Sequence, residues 1–306
     1  GWRLYGASAS TGPFTVVAGS AAIPATAGTG TQRIFAEGGL TAHTTYYRYV
    51  AAVSSGGTVV SPVAAVYPYT TVDLNVPVVV DNQPGDAVWR RAAGALYNVD
   101  FTDTGGSALA SFSVKASTTA GGLGADLIGF TDVVTSILSD SYTADWALPT
   151  AVFDALLEGA TNYVTVRAAD GNANAATLVD AFTVLKDTTP PLLADNQAAD
   201  PVRRAAGGTA YDVDAFDGSS GLERFQYSVS TAVGSADGGA VGWTDIALGG
   251  GATFYQTNWT LDFAGLLGDA TNHVSVRAWD RAGSTVSLTD AFSVVKDTGG
   301  PKVVIQ

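Results

Sequence analysis

Apolar residues recur at every second position through much of the chain. In "NYVTVRAAD", residues 162–170, Val164, Val166 and Ala168 alternate with Thr165 and Arg167. In "SFSVKAS", residues 111–117, Phe112, Val114 and Ala116 alternate with Ser113 and Lys115. A period of two sends successive side chains to opposite faces, which predicts half-buried strands in a two-sheet stack, apolar inside and polar outside. Gly, Asp, Asn and Ser clusters interrupt these runs at the spacing of a sandwich. Only "PTAVFDALLEGA", from Pro149, has the pattern of a short helical turn. The expected fold class is all-β.

The pattern is also duplicated, and the duplication sets the domain organisation. "DNQ" occurs at Asp81 and Asp195, "RRAAG" at Arg90 and Arg203, and "YNVD" at Tyr97 is answered by "YDVD" at Tyr211. Further on, "TNYVTVRAAD" from Thr161 matches "TNHVSVRAWD" from Thr271, and "DAFTVLKDT" from Asp180 matches "DAFSVVKDT" from Asp290. The offset is 113–114 residues in the first half and 110 in the second, so the length difference falls in one central loop region. Two tandem repeats are predicted, 76–188 and 189–298.

Each repeat carries a turn, "DTGGSAL" at Asp103 or "DGSSGL" at Asp217, then V-x-V-R-A-x-D, a hairpin and "KDT". With "DTTPP" at 187–191 as the junction, these stretches resemble bacterial immunoglobulin-like domains. The resemblance implies tandem immunoglobulin-like β-sandwiches and leaves function open, because such modules host many roles. Residues 1–75 differ. "GWRLYGASASTGPFTVVAGS" and "GGLTAHTTYYRYVAAVSSGGTVVSPVAAVYPYTT" resemble the later part of a fibronectin type III domain. The resemblance makes Trp2 to Ala7 the third strand, Tyr46 to Val53 the sixth and Pro62 to Thr70 the last, with the first two strands missing. It also gives Tyr46 the role of pinning the adjoining corner through its hydroxyl. Arg48 falls where alternation points inward, and a bulge or a snorkelling side chain is expected there. Residues 299–306 match the opening strand of a further module. The chain starts at Gly1 with no leader, so it is expected to be a window on a longer modular protein. The rival reading is a terminal strand, "PKVVIQ", that completes a neighbouring molecule.

Charge narrows the partners. The 306 residues carry 28 acidic against 15 basic side chains, a net charge of −13, and only Glu37, Glu158 and Glu223 are glutamate. Asp is poor in strands and good in turns, so an Asp-rich chain again predicts many strands joined by acidic turns. Such a charge disfavours nucleic acid and anionic membrane surfaces. No apolar run approaches 18 residues, so no membrane insertion by a helix is expected. Cysteine is absent, which excludes disulfides, thiolate metal sites and cysteine nucleophiles.

Candidate chemistry is sparse. With His43 and His273 alone, an imidazole metal site or a triad is not expected, and both are read as surface or packing residues. A glycosidase needs two converging carboxylates, but Glu158 is answered by Gly268 and Glu223 by Ala110, one copy each. "AGGLGADL" and "LGGGATF" lack the strand–loop–helix setting of a phosphate cradle and are read as loops. The acidic clusters are the one place for a metal. Asp212, Asp214 and Asp217, with their counterparts Asn98, Asp100 and Asp103, offer the oxygens that calcium takes. Their spacing is not that of a helix–loop–helix calcium site, and each has a turn or exposed-strand role, so no cofactor is required and calcium is the only ion considered. "ADGNANA" from Ala169 is read first as a hairpin loop and second as a metal site. Trp146 and Trp259, like Phe112 and Phe225, match between copies and are assigned to cores. Trp89, Trp243 and Trp279 have no aromatic match and are the candidates for stacking on sugars or a subunit contact. "NWT" at Asn258 is a glycosylation sequon of little weight beside a core Trp.

No catalytic or cofactor-binding residue is assigned, and no enzyme is expected. The expectation is a structural or adhesive array in a bacterial cell-surface or secreted protein, part of a fibre or surface layer. The rival is a non-catalytic carbohydrate-binding or spacer region of a large secreted polysaccharide-degrading enzyme. Expected partners are neighbouring modules, copies of the same chain and surface glycans.

Overall fold

The protein is described by a computed structural model covering residues 1–20, 35–61, 65–83, 86–197, 200–237 and 239–300. Residues 62–64 and the "PKVVIQ" segment at 301–306, expected to open a further module, lie outside the described residues. Among the described residues the fold is nearly all β, with six sheets and a single α-helix.

In the N-terminal region the aromatic and β-branched runs form one antiparallel sheet. Its strands lie in the order Thr15–Val16, Trp2–Ala7, Thr45–Ala52, Tyr67–Thr70. The Tyr46 hydroxyl accepts the Thr41 backbone N–H at 2.8 Å, the corner contact expected of that residue. Arg48 departs from expectation. Its strand pairs with Trp2–Ala7 without a register shift, so there is no bulge. Nor does it snorkel: its side chain is only 11% exposed and forms a two-bonded ion pair with Glu37 at 2.6 and 2.9 Å. The Tyr46 ring lies 4.8 Å from the guanidinium, and the Tyr69 hydroxyl donates to the same carboxylate at 3.1 Å. An inward cation is tolerated because its charge and donors are satisfied in place. Gly6, opposite Arg48, makes room for it; a Cβ there would sit 2.7 Å from the guanidinium.

The first repeat has a five-stranded sheet in the order Asp126–Ser139, Leu109–Ser117, Thr161–Asp170, Ala175–Lys186, Trp89–Arg90, the last pairing parallel. Ser141–Tyr142, Val99–Thr102 and Val78–Asp81 form the facing sheet, and Trp146–Ala147 pairs with Leu96–Tyr97. The second repeat reproduces this with Val241–Ile246, Leu222–Ser230, Ala270–Asp280, Thr285–Lys296 and Asp200–Arg204, faced by Leu192–Asp195, Val213–Phe216 and Phe254–Tyr255. Alternation builds each core: Val164, Val166, Ala168, Phe112 and Val114 are buried with Trp146, and Val274, Val276, Ala278 and Phe225 with Trp259. The helical turn is Thr150–Ala155, whose Val152 and Phe153 join the core around Trp146.

Two repeated devices fix the corners. Asn162, wholly buried, accepts the Leu157 N–H at 2.8 Å and donates to the carbonyls of Leu157, Ala160 and Val184. Asn272 does the same with Leu267, Ala270 and Val294. The Lys of each "KDT" turns back into its own module. Lys186 Nζ donates to the carbonyls of Asp154 and Leu156, and Lys296 Nζ to those of Ala264 and Leu266. Thr165, predicted on the solvent face, is buried instead: the last strand bulges at Asp180, whose N–H bonds to the Thr165 hydroxyl at 3.3 Å.

Candidate functional site at the module junctions

The aspartate of the first "KDT" points forward, not back. Asp187 leaves the strand Ala175–Lys186 and enters the next repeat, where its Oδ2 accepts the Ser220 N–H at 2.9 Å. Its Oδ1 accepts the N–H and hydroxyl of Thr189, which holds the carboxylate in place. There it meets Asp217, in the turn after Val213–Phe216, and Asp280, the last residue of Ala270–Asp280. One carboxylate oxygen from each of the three lies within 4.8 Å of the others.

The preceding junction repeats the arrangement. Asp73, after Tyr67–Thr70, meets Asp103 and Asp170, the equivalents of Asp217 and Asp280, again within 4.8 Å. Asp73 Oδ2 accepts the N–H and hydroxyl of Ser107 at 3.1 and 2.9 Å, and its backbone carbonyl accepts Asn174 Nδ2 at 2.9 Å. Gly105 lets the turn close over it, since a Cβ there would fall 1.9 Å from Asp73 Oδ1. His43 packs against the same turn beside Gly106.

These carboxylates are unusual in their burial. None of the six is more than 3% exposed, and among the described residues none pairs with a Lys or Arg. Turn N–H groups satisfy part of each: Gly105 for Asp103, Asn172 and Asn174 for Asp170, Ser219 and Gly221 for Asp217, Ser284 for Asp280. Asp103 Oδ2 and Asp280 Oδ2 have no partner among the described residues. Burial pushes the Asp217 and Asp280 carboxyls above their usual range, and the charge of Asp187 adds to both. Burial acts the same way on Asp73, but hydrogen bonds from Asn75 and Ser107, with a smaller contribution from His43, bring it below that range.

Of the five sequence candidates the structure brings Asp103 and Asp217 into these trios, one in each. Asp100, Asp212 and Asp214 lie elsewhere, beside the "DNQ" asparagines. Asn82 Nδ2 donates to Asp100 Oδ2 at 2.7 Å, and Asn196 Nδ2 to Asp214 Oδ2 at 2.8 Å and Asp212 Oδ1 at 3.4 Å. Asp73, Asp187 and Asp280 were not among the candidates. The signal for them was retention: an Asp closes V-x-V-R-A-x-D in both copies, and an Asp stands eight residues before "DNQ" in both.

The other candidates separate. Glu158 binds the N–H and hydroxyl of Thr188, and Glu223 lies 4.0 Å from Arg281. Trp243 and Trp279 pack on Arg277 at 3.9 and 4.4 Å. Trp243 does have an aromatic counterpart, contrary to expectation. Thr131 faces Val114 as Thr244 faces Tyr227, so Phe130 takes the place of Trp243 and packs on Arg167 at 4.0 Å.

No known protein family and no curated protein matches the chain. Among solved structures it is similar to the fibronectin(III)-like modules of Clostridium thermocellum CbhA, with 13% identity and a TM-score of 0.32 over 75% of this chain and 100% of that one. It is also similar to the FN1–FN3 domains of chicken CNTN1, with 10% identity and a TM-score of 0.24 over 81% and 78%. A third is CBD12 from CALX1.2, with 12% identity and a TM-score of 0.19 over 65% and 78%. At such scores likeness assigns no function. Among the described residues no helix is long and apolar enough to cross a membrane.

Proposed function

We propose that the chain is a structural or adhesive stretch of a bacterial cell-surface or secreted protein, in which three modules follow one another with boundaries near 72–77 and 187–191. Its function is reach and spacing, and it has no catalytic role. The carrying observation is the junction at 186–187, where Lys186 bonds its own module and the adjacent Asp187 is buried in the next, as Asp73 is at the preceding junction. A connection fixed on both sides within two residues leaves little slack, and so favours a stiff row over beads on a flexible linker. Partners are then adjacent modules and further copies of the chain, in a fibre or surface layer outside the cell.

The rival, a carbohydrate-binding or spacer region, draws on an open cleft of about 870 Å³ lined by Arg224, Asp245, Trp279 and Arg281. A sugar stacks on a free aromatic face, whereas the Trp279 ring is already engaged by Arg277 and, at 5.7 Å, Arg224. Small-angle scattering and electron microscopy of the purified protein test the proposal. An elongated particle of roughly 100 Å, at ~30–40 Å per module, that assembles into fibres or lattices supports it. A compact particle, or an unassembled one that binds soluble glycans, overturns it.

A further inference from the structure

We infer that each junction is a calcium site shared between modules, with Asp73, Asp103 and Asp170 as ligands in the first and Asp187, Asp217 and Asp280 in the second. Three observations carry this beyond a cluster of acids. The first is geometric. Calcium binds oxygen at about 2.3–2.6 Å, so ligand oxygens around one ion lie up to ~5 Å apart; the 4.8 Å limit within each trio fits one ion touching all three. The second is electrostatic. Three carboxylates are withdrawn from water with no Lys or Arg among the described residues to offset them. Buried charges are stable when paired or when they coordinate a metal. The third is the pair of unpartnered oxygens, Asp103 Oδ2 and Asp280 Oδ2, on side chains 3% and 1% exposed. A buried carboxylate oxygen without a donor is costly to leave so, and a cation supplies what the protein does not.

The donor set selects the metal. All six side chains offer hard oxygen and the chain has no cysteine, which suits calcium or magnesium over zinc or copper. Calcium takes 6–8 oxygens in irregular geometry, while magnesium demands a near-ideal octahedron and keeps its waters. Carboxylates drawn from three separate segments suit the more tolerant ion, with water completing the shell.

The origin of the ligands sets what binding does. Two belong to one repeat and the third comes from the segment before it, so no module holds a complete site. Calcium therefore binds the junction and orders the angle between modules, leaving the cores intact. This goes beyond the array reading and stands without it; a protein that binds calcium at both junctions yet forms no fibre would retain the sites and lose that reading.

Calorimetric titration of the chelator-treated chain 1–306 with calcium chloride tests the proposal. Two calcium ions per chain are expected, with magnesium weaker by tenfold or more. Asp187→Asn should remove one binding event and Asp73→Asn the other. Each variant should lose the calcium-induced rise in melting temperature at its own junction and keep it at the other. Should either variant misfold, hydrogen exchange on the unaltered chain decides: calcium should protect residues 70–75 and 186–190. Absence of calcium heat at millimolar concentration, unchanged exchange at both junctions, or two ions still bound by the Asp73→Asn/Asp187→Asn double variant would overturn the proposal.

Discussion

Asn162 in the first repeat and Asn272 in the second make the same four hydrogen bonds, and Lys186 and Lys296 make the same two. The surfaces around them differ. Thr150–Ala155 is helical in the first repeat, whereas the second has Gly265 where the first has Ala155 and forms no helix there. Glycine weakens a helical turn, and here it also admits a neighbour: a Cβ on Gly265 would lie 2.9 Å from Val241 Cγ2. The outer partner of the strand Leu109–Ser117 runs fourteen residues, Asp126–Ser139, whereas its counterpart Val241–Ile246 runs six. Backbone groups buried at a corner accept one side-chain shape, while an outer face needs only to be covered. Constancy therefore follows the hydrogen bonds to the main chain, and variation follows the solvent.

That contrast can be broken most sharply at the asparagines. Asn162→Ala and Asn272→Ala each strand several buried backbone groups, at ~1–3 kcal/mol per group. Each should destabilise its own repeat by about 3 kcal/mol or more and by similar amounts, read as a shift of one transition in urea unfolding followed by exchange or fluorescence. Unequal losses would mean that the two corners are not energetically the same device.

Alkaline pH tests the aromatic layer beneath. Burial, with a contribution from Asp86, pushes the Tyr97 phenol up to about 12, and Tyr211 shifts the same way with burial first and Asp200 second. In the unfolded chain a phenol ionises near 10. The stability held by neutral Tyr97 is therefore complete below pH ~10 and lost as pH rises towards 12, on the order of 2 kcal/mol. The melting temperature of the first repeat should fall over that window, together with a delayed phenolate absorbance. Tyr97→Phe should flatten the fall.

A smaller difference separates the paired tryptophans. Trp146 Nε1 donates to the Val99 carbonyl at 3.2 Å, whereas the buried Trp259 Nε1 has no partner among the described residues. Trp→Phe substitution leaves a comparable cavity in each core, but only Trp146→Phe also loses a hydrogen bond. It should cost about 1 kcal/mol more than Trp259→Phe in thermal or urea unfolding.

How much of this was visible beforehand depended on whether the cause was local. The faces of Thr161–Asp170 and Leu109–Ser117 follow from a period of two, and the cores around Trp146 and Trp259 follow from their retention in both copies. The Tyr46 corner came from the resemblance to a fibronectin type III domain, and its partner is five residues away. Arg48 was not legible, because Glu37 reaches it from a loop across the sheet edge. The match of Phe130 to Trp243 was legible but missed, since the first-half offset of 113 residues leads directly from one to the other. The acidic trios were the least legible. Asp103 and Asp217 were singled out, but grouped with sequence neighbours on the same strand, while their partners come from a linker and from the far end of another strand. Nearness along the chain favoured Asp100, Asp212 and Asp214, whose oxygens serve the asparagines next door.

The parallel pairing at the edge of each large sheet has a mechanical consequence. Trp89–Arg90 lies beside the closing strand Ala175–Lys186, and Asp200–Arg204 beside Thr285–Lys296, with the same direction. The Asp187 N–H extends the first ladder to Arg90, and the Asp297 N–H the second to Arg204. Tension along the chain draws the early strand back towards its start and the closing strand onward past its end. The two then slide along one another, and the bonds between them carry the load together, where an antiparallel hairpin pulled at its open end would unzip bond by bond. Each of the two repeats is thus joined most firmly along the line in which a tether is stretched.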